Sequence, residues 1–325
     1  MGFVLHAPLL MSLASFFSSR WRSAPPAGCL GLSADGAVLS AAAVLRPAGV
    51  RPRVAACEVF QGDKALAAVA PWRRAHRLRG MRTNLLLDAT QYQLLPVEAP
   101  EQDARERAAA ARWRVKDMLD YPAEDASVDC VLIPDTPGSA RTPQALAVVA
   151  PRKTVGQWMQ RTQEARIELD SIDVPELALR NLAALPTGHG ARGLLHMGLR
   201  RTTLVMVWQG ELCSFRRFDV HAAQFQAAHG NAREALLERL GLDVQRSADA
   251  FERQFHASAL ERLWVTQAAV HGDLAGELRR QVGLPVQGLQ LPEWLDLDPQ
   301  WNLLDPERGM DHFLAIGGAL RDEPT

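Results

Sequence analysis

The chain predicts an α/β protein built of two duplicated βββαβα lobes, with a small subdomain inserted in the first. Its 325 residues, 47% apolar and 22% charged, suffice for two lobes with cores of their own. Strands and helices follow one another in the same order in both halves, the mark of a duplicated fold. The stretch LLHMGLRRTTLVMVWQGELCSFRRF, residues 194 to 218, reads as three apolar strands joined by two tight turns. A tail and linker are expected over 1–26, the first lobe over 27–190 with its insert near 84–150, and the second lobe over 191–325.

In the first lobe AGCLGLS is a strand of small residues, Asp35-Gly36 offers a hairpin turn, AVLSAAAVL returns as a second strand and RVAACEVF is a third. Farther on, ALAVVAP (145–151) is an apolar strand, KTVGQWMQRTQEAR (153–166) a helix and IELDSID a short strand, after which Pro175 opens a helix at its first turn. In the second lobe, strands over 193–198, 201–208 and 211–219 precede a helix through NAREALLERLG, with Gly241 its expected C-cap. A separate helix near 246–258, the strand RLWVTQ, the helix GDLAGELRRQVG, the short strand LPVQG and a helix in DHFLAIGGALR complete the order.

A net charge of -1 lacks the basic excess that a broad nucleic-acid surface needs. Cys29, Cys57, Cys130 and Cys213 form no C-x-x-C pair and have no histidine at ligand spacing, so neither a zinc site nor a disulfide framework is signalled and a reduced cytoplasmic setting is expected. The nine histidines do not cluster, no catalytic triad can be read from spacing, and Glu124 and Asp125 read as a solvated loop pair. The apolar start, MGFVLHAPLLMSLASFFSSRWR, is broken by Pro8 and has no basic n-region, which suits neither a signal peptide nor a membrane span. Leu9, Leu10, Leu13, Phe16 and Phe17 fall on one helical face before Arg20, Trp21 and Arg22, the pattern of a helix lying in a bilayer interface; the alternative is a frayed tail with the true start at Met11. SAPPAG, 23–28, is a linker. PWRRAHRLRGMR, 71–82, is locally basic and reads either as a solvated loop or as a face for anionic lipid.

Two tandem βββαβα halves that each open on a hairpin resemble the actin and sugar-kinase ATPase fold, a ribonuclease H-like architecture. That resemblance implies two hairpins approaching a nucleotide from both lobes, with turn N–H groups on the phosphates and Asp-x-Gly aspartates helping to seat Mg²⁺. The candidate nucleotide residues it marks are Ser33, Asp35 and Gly36 in the first hairpin, Gly198, Arg200, Thr202 and Thr203 in the second, and Gly272 beyond the adenine-side loop. The chain departs from the pattern at each place. Gly31 falls where a carboxylate is expected and Ser33 where a glycine is, while His196 takes the acidic position of the second hairpin. Gln267 and Ala268 replace the adenine-side glycines. Neutral imidazole is a poor ligand for Mg²⁺, so the expectation is a degenerate site with no metal and no catalytic residue. No cofactor is assigned; Arg200 and Arg201, which attract phosphate, leave weak binding of ATP open, and the alternative is a working ATPase or small-molecule kinase.

The block LLLDATQYQLLPVEAPEQDARERAAAARWRVKDMLDYPAEDASVDCVLIPD, 85–135, with SIDVPELAL at 171–179 and HFLAIGGALR near the end, resembles the MSHA pilus biogenesis family MshI, whose members are similar to PilM of type IV pili. The resemblance implies a cytoplasmic scaffold recruited to the inner membrane as a peripheral protein. There it would bind the tail of a PilN/MshJ-like single-pass protein and meet the pilus assembly ATPase platform.

A helix expected over 102–121 puts Ala104, Ala108, Ala111, Val115, Met118 and Leu119 on one stripe, its core face. Trp113 points the other way, near Ala109 and Asp117, with Tyr121 at the helix end. Three readings stand for Trp113: burial against the neighbouring lobe, a partner groove with Ala109, Asp117 and Tyr121, or simple exposure.

Overall fold

The computed structural model describes residues 28–36, 38–47, 49–100, 106–135, 142–188, 190–255, 259–266, 272–298 and 306–321, with side chains from 312 onward in the last segment. The expected N-terminal helix, its linker, and Gln267 and Ala268 lie outside the described residues.

The first lobe begins with β1 (Gly28–Asp35), β2 (Val38–Leu45) and β3 (Arg53–Gln61), then α1 (Ala65–Ala75) and β4 (Arg82–Leu86). The insert follows as β5 (Gln93–Glu98), α2 (Arg107–Val115), β6 (Ala126–Leu132) and β7 (Gln144–Pro151). The chain returns through α3 (Arg152–Glu164) to β8 (Ser171–Asp173) and α4 (Pro175–Ala183). The second lobe holds β9 (Ala191–Met197), β10 (Thr202–Trp208), β11 (Glu211–Phe218), α5 (Ala222–Ala227), α6 (Asn231–Gln254), β12 (Leu260–Val265), α7 (Leu274–Arg279) and β13 (Val286–Gly288). The short α8 (Leu291–Trp294) and β14 (Asp296–Leu297) lead to α9 (Pro306–Ala319).

The two large sheets repeat one topology. The first runs β14-β3-β2-β1-β4-β8 and the second β11-β10-β9-β12-β13, each an antiparallel meander extended by parallel strands. β14 and α9 follow the second sheet in sequence yet meet the first: β14 pairs with β3, and α9 lies across β1, β2 and β4. In exchange α4 packs on β9, β10 and β11. The two helices also touch closely: a Cβ on Gly317 would come within 2.4 Å of the Ala178 carbonyl oxygen, and the Asn181 side-chain amide donates to the Gly317 carbonyl at 2.9 Å.

The insert is a sheet β5-β7-β6 covered by α2, with a core of its own around Ala111, Val115, Val128 and Val149. The apolar run of β7 is explained by burial on both faces. Ala145, Ala147 and Val149 face that small core, while Leu146, Val148 and Ala150 join the main one.

Two helix expectations are corrected. The helices expected on either side of Gly241 are one continuous 24-residue helix, α6, with the glycine inside it. Gly241 is a close-approach residue rather than a cap, since a Cβ there would meet the Gln281 side-chain oxygen at 2.4 Å. The helix expected to reach residue 121 ends at Val115 and tightens into a 3-10 turn over Lys116–Met118. The tighter turn breaks the 3.6-residue period, so Met118 leaves the core stripe and is exposed while Ala111 and Val115 stay buried.

Candidate functional site

The first hairpin closes on Gly36 at φ +61°, with Asp35 opposite Val38. Gly31, Ser33 and Asp35 alternate onto one face of β1. A Cβ on Gly31 would lie 1.9 Å from the Ala315 carbonyl oxygen of α9 and 2.7 Å from the Ala319 nitrogen. The place expected for a carboxylate therefore admits no side chain at all. Ser33, nearer the turn, is buried and stands opposite Ser40.

In the second hairpin the Gly198 N–H donates to the Arg201 carbonyl at 2.9 Å, and Met197 faces Thr202 in register. His196, Thr203 and Arg217 form one row across β9, β10 and β11. Strand alternation puts Thr202 on the opposite face, fully buried, with a hydroxyl that has no partner among the described residues. Thr202 and Thr203 thus cannot serve one ligand together. His196 stacks on Phe313 of α9, ring centroids 5.4 Å apart and planes 12° from parallel, and its Nδ1 lies 3.4 Å from the Thr266 hydroxyl. Burial pulls its pKa down to about 4, so the imidazole is neutral at physiological pH.

The hairpin tips meet through Arg200. Its Nη1 lies 3.5 Å from Asp35 Oδ1, and a Cβ on Gly36 would come within 2.9 Å of its Nη2. Asp35, Gly36 and Arg200 are thereby brought together. Both charged side chains are more than half exposed, so the pair contributes less than about 1 kcal/mol and phosphate could compete for the guanidinium. α9 is a different matter: its backbone fills the ground above Gly31, and its Phe313 covers His196. Among the described residues no three His, Cys, Asp or Glu side chains converge as a metal site. Neither Gly31 nor His196 places a carboxylate where the resemblance expects one. Gly272, at φ +101°, sits instead beside the Arg233–Glu277 ion pair that ties α6 to α7.

A cluster with no signature in the sequence joins insert and lobes beside this row. Arg217 Nε donates to Glu176 Oε1 at 2.7 Å, and the Tyr92 hydroxyl donates to Glu176 Oε2. The Arg217 guanidinium lies 4.9 Å over the Tyr92 ring. Glu176 is 1% exposed. Burial, reinforced by the neighbouring carboxylate, holds the Tyr92 phenol well above its ordinary pKa. Tyr92 precedes β5, Glu176 opens α4 and Arg217 lies on β11, so three distant segments converge on one carboxylate.

On the outer face of α2 Trp113 is 73% exposed, which removes the reading of burial against the neighbouring lobe. Lys116 Nζ lies 5.3 Å from its ring centroid. Ala109 and Asp117 are exposed beside it in sequence, whereas Tyr121 turns in to pack against the small core.

No family model matches the chain, and neither does any curated protein. Among solved structures it is similar to a chain of the PilM-PilN type IV pilus biogenesis complex, with TM-score 0.71 and 19% identity over 91% of this chain and 99% of that one. The chain has the actin-like ATPase fold. Two more distant likenesses are to the cytoplasmic domain of EpsL, an inner membrane component of the type II secretion system of Vibrio cholerae (TM-score 0.44, 14% identity, 78% and 93% covered), and to a Bacteroides thetaiotaomicron protein with an actin-like ATPase fold and unknown function (TM-score 0.41, 10% identity, 88% and 96% covered).

Proposed function

We propose that this actin-like protein is a non-catalytic scaffold of type IV pilus assembly, of the MSHA type, at the cytoplasmic face of the inner membrane. Its partner is the cytoplasmic tail of a PilN/MshJ-like single-pass protein, through which it meets the assembly ATPase platform. The observation that carries this reading is the placement of α9, whose backbone occupies the site of one expected carboxylate and whose Phe313 covers the residue at the other. The likeness to a chain of the PilM-PilN complex supports the choice of partner. For the docking face we propose Trp113 with Ala109 and Asp117 and without the inward-packed Tyr121, since an exposed tryptophan on a helix with its own small core is the residue type that anchors interfaces.

Calorimetric titration with a peptide from the partner's cytoplasmic N-terminus, with and without ATP, tests the proposal. The expected result is binding that ignores ATP and that Trp113→Ala weakens roughly thirtyfold, the size of an interface anchor. Hydrolysis of magnesium ATP faster than by a Thr203→Ala control would instead favour the working ATPase.

A further inference from the structure

The overall charge of -1 conceals an uneven distribution. β1, β4 and β8 run parallel, and β2 runs against them. Their registers put the segment 46–53, the segment 73–82 and the loop 165–170 at one end of the first sheet. Those three segments hold nine arginines against two acidic residues, Glu168 and Asp170, and β14 adds Asp296 beside Arg53 at the same end. Arg51, Arg53, Arg74, Arg77, Arg79 and Arg166 are all exposed. The opposite end of the same sheet carries Asp35, Asp63, Asp88 and Asp173, of which Asp35 is paired with Arg200 and Asp173 with Arg321.

Two further features belong to the arginine end. Val50, 60% exposed, stands at the tip of the 46–53 turn beside Arg51. The chain also reaches β1 from this side: a Cβ on Gly28 would lie 2.9 Å from Met81 Cε, and Cys29 pairs with Arg82. Gly28, which the apolar stretch and Arg20, Trp21 and Arg22 precede in sequence, therefore lies in the middle of the arginine face.

We propose that this end of the first lobe is a membrane-contact surface, in which the arginines lie on anionic phospholipid headgroups and Val50 enters the interface. A bilayer is favoured over an acidic protein because the apolar Val50 is exposed on the basic surface and an apolar, basic stretch of sequence precedes Gly28 there. Basic residues near such a surface contribute about 1 kcal/mol each, and stable anchoring takes more than one such signal. The assignment is independent of the pilus partner, whose peptide titration is done without lipid.

The test is flotation of the full chain with phosphatidylcholine vesicles, with and without phosphatidylglycerol. Flotation should need the anionic lipid and be lost at high salt. Replacing Arg74, Arg77 and Arg79 together by Gln should lower partitioning about a hundredfold. Val50→Asp, which removes no positive charge, should also weaken it. A matched replacement of Arg239, Arg246 and Arg253 on α6 should leave it unchanged. The proposal is overturned if the chain does not float, if neutral vesicles bind it equally, if the control variant loses as much as the first, or if both the triple variant and Val50→Asp float like the wild type. Retention on polyglutamate that depends on the same arginines, without flotation, would reassign the face to an acidic protein.

Discussion

The two hairpins share a strand order and differ in how they fill the position where their fold class is expected to carry an acid. In the first, a glycine leaves room for helix backbone: Gly31 lies directly under Ala315. In the second, the position keeps a side chain, and His196 is capped by Phe313 of the same helix. One helix thus accounts for both departures. α9 packs on the first sheet, and the lobes are held together through α4, α9 and the carboxylate of Glu176.

The strongest way to break this comparison is Gly31→Asp, which reinstates the carboxylate. It should cost more than about 4 kcal/mol, because a buried charge is forced against a helix carbonyl. A urea unfolding midpoint close to that of the wild type would mean that α9 can step aside. Glu176→Ala should destabilise by about 3–5 kcal/mol, since it strands the half-buried Arg217 guanidinium and the Tyr92 hydroxyl together. Denaturation of single and double variants at Glu176 and Arg217 measures that coupling, and purely additive losses would dissolve the cluster into independent contacts.

The second hairpin predicts a pH dependence. His196 has a folded pKa of about 4 against an ordinary 6.5, so the unfolded chain binds the proton more readily. The stability due to the neutral ring is complete above about 6.5 and is lost as pH falls toward 4, a change on the order of 3 kcal/mol. His312, also lowered by burial, acts in the same direction. His196→Phe should flatten the part of the acid slope due to that ring, and an unaltered slope would assign it elsewhere. The smallest effect belongs to the hairpin tips: Arg200→Ala should change stability by less than about 1 kcal/mol, as its ion pair is solvated. A larger loss would make the tip contact a structural tie.

Much of the fold was legible in the residues. Asp35-Gly36 marked a turn, Pro175 marked a helix start, and the strands of 194–218 were readable because turn chemistry and apolar runs are local signals. The departures at Gly31 and His196 were legible too, but their reasons were not. Gly241 looked like a cap because a glycine at a helix end and one beneath a neighbouring side chain are the same letter. Thr202 and Thr203 looked like a pair, and only the pleat of β10 separated them. Trp113 was placed on the outward face by periodicity alone, whereas Met118 was misplaced because the 3-10 turn that moves it carries no clear sequence mark. The convergence of Tyr92, Glu176 and Arg217 had no signal, since each residue is ordinary in its own segment.

By itself, then, the sequence determined the duplicated order of elements and the hairpins. Short-range steric and hydrogen-bonding preferences suffice for these. Tertiary structure alone decided that α9 returns to cover the first sheet, that a single carboxylate ties three segments, and that three scattered arginine segments share one face. Those outcomes depend on which distant surfaces meet, and that is set by burial and strand register across the whole chain.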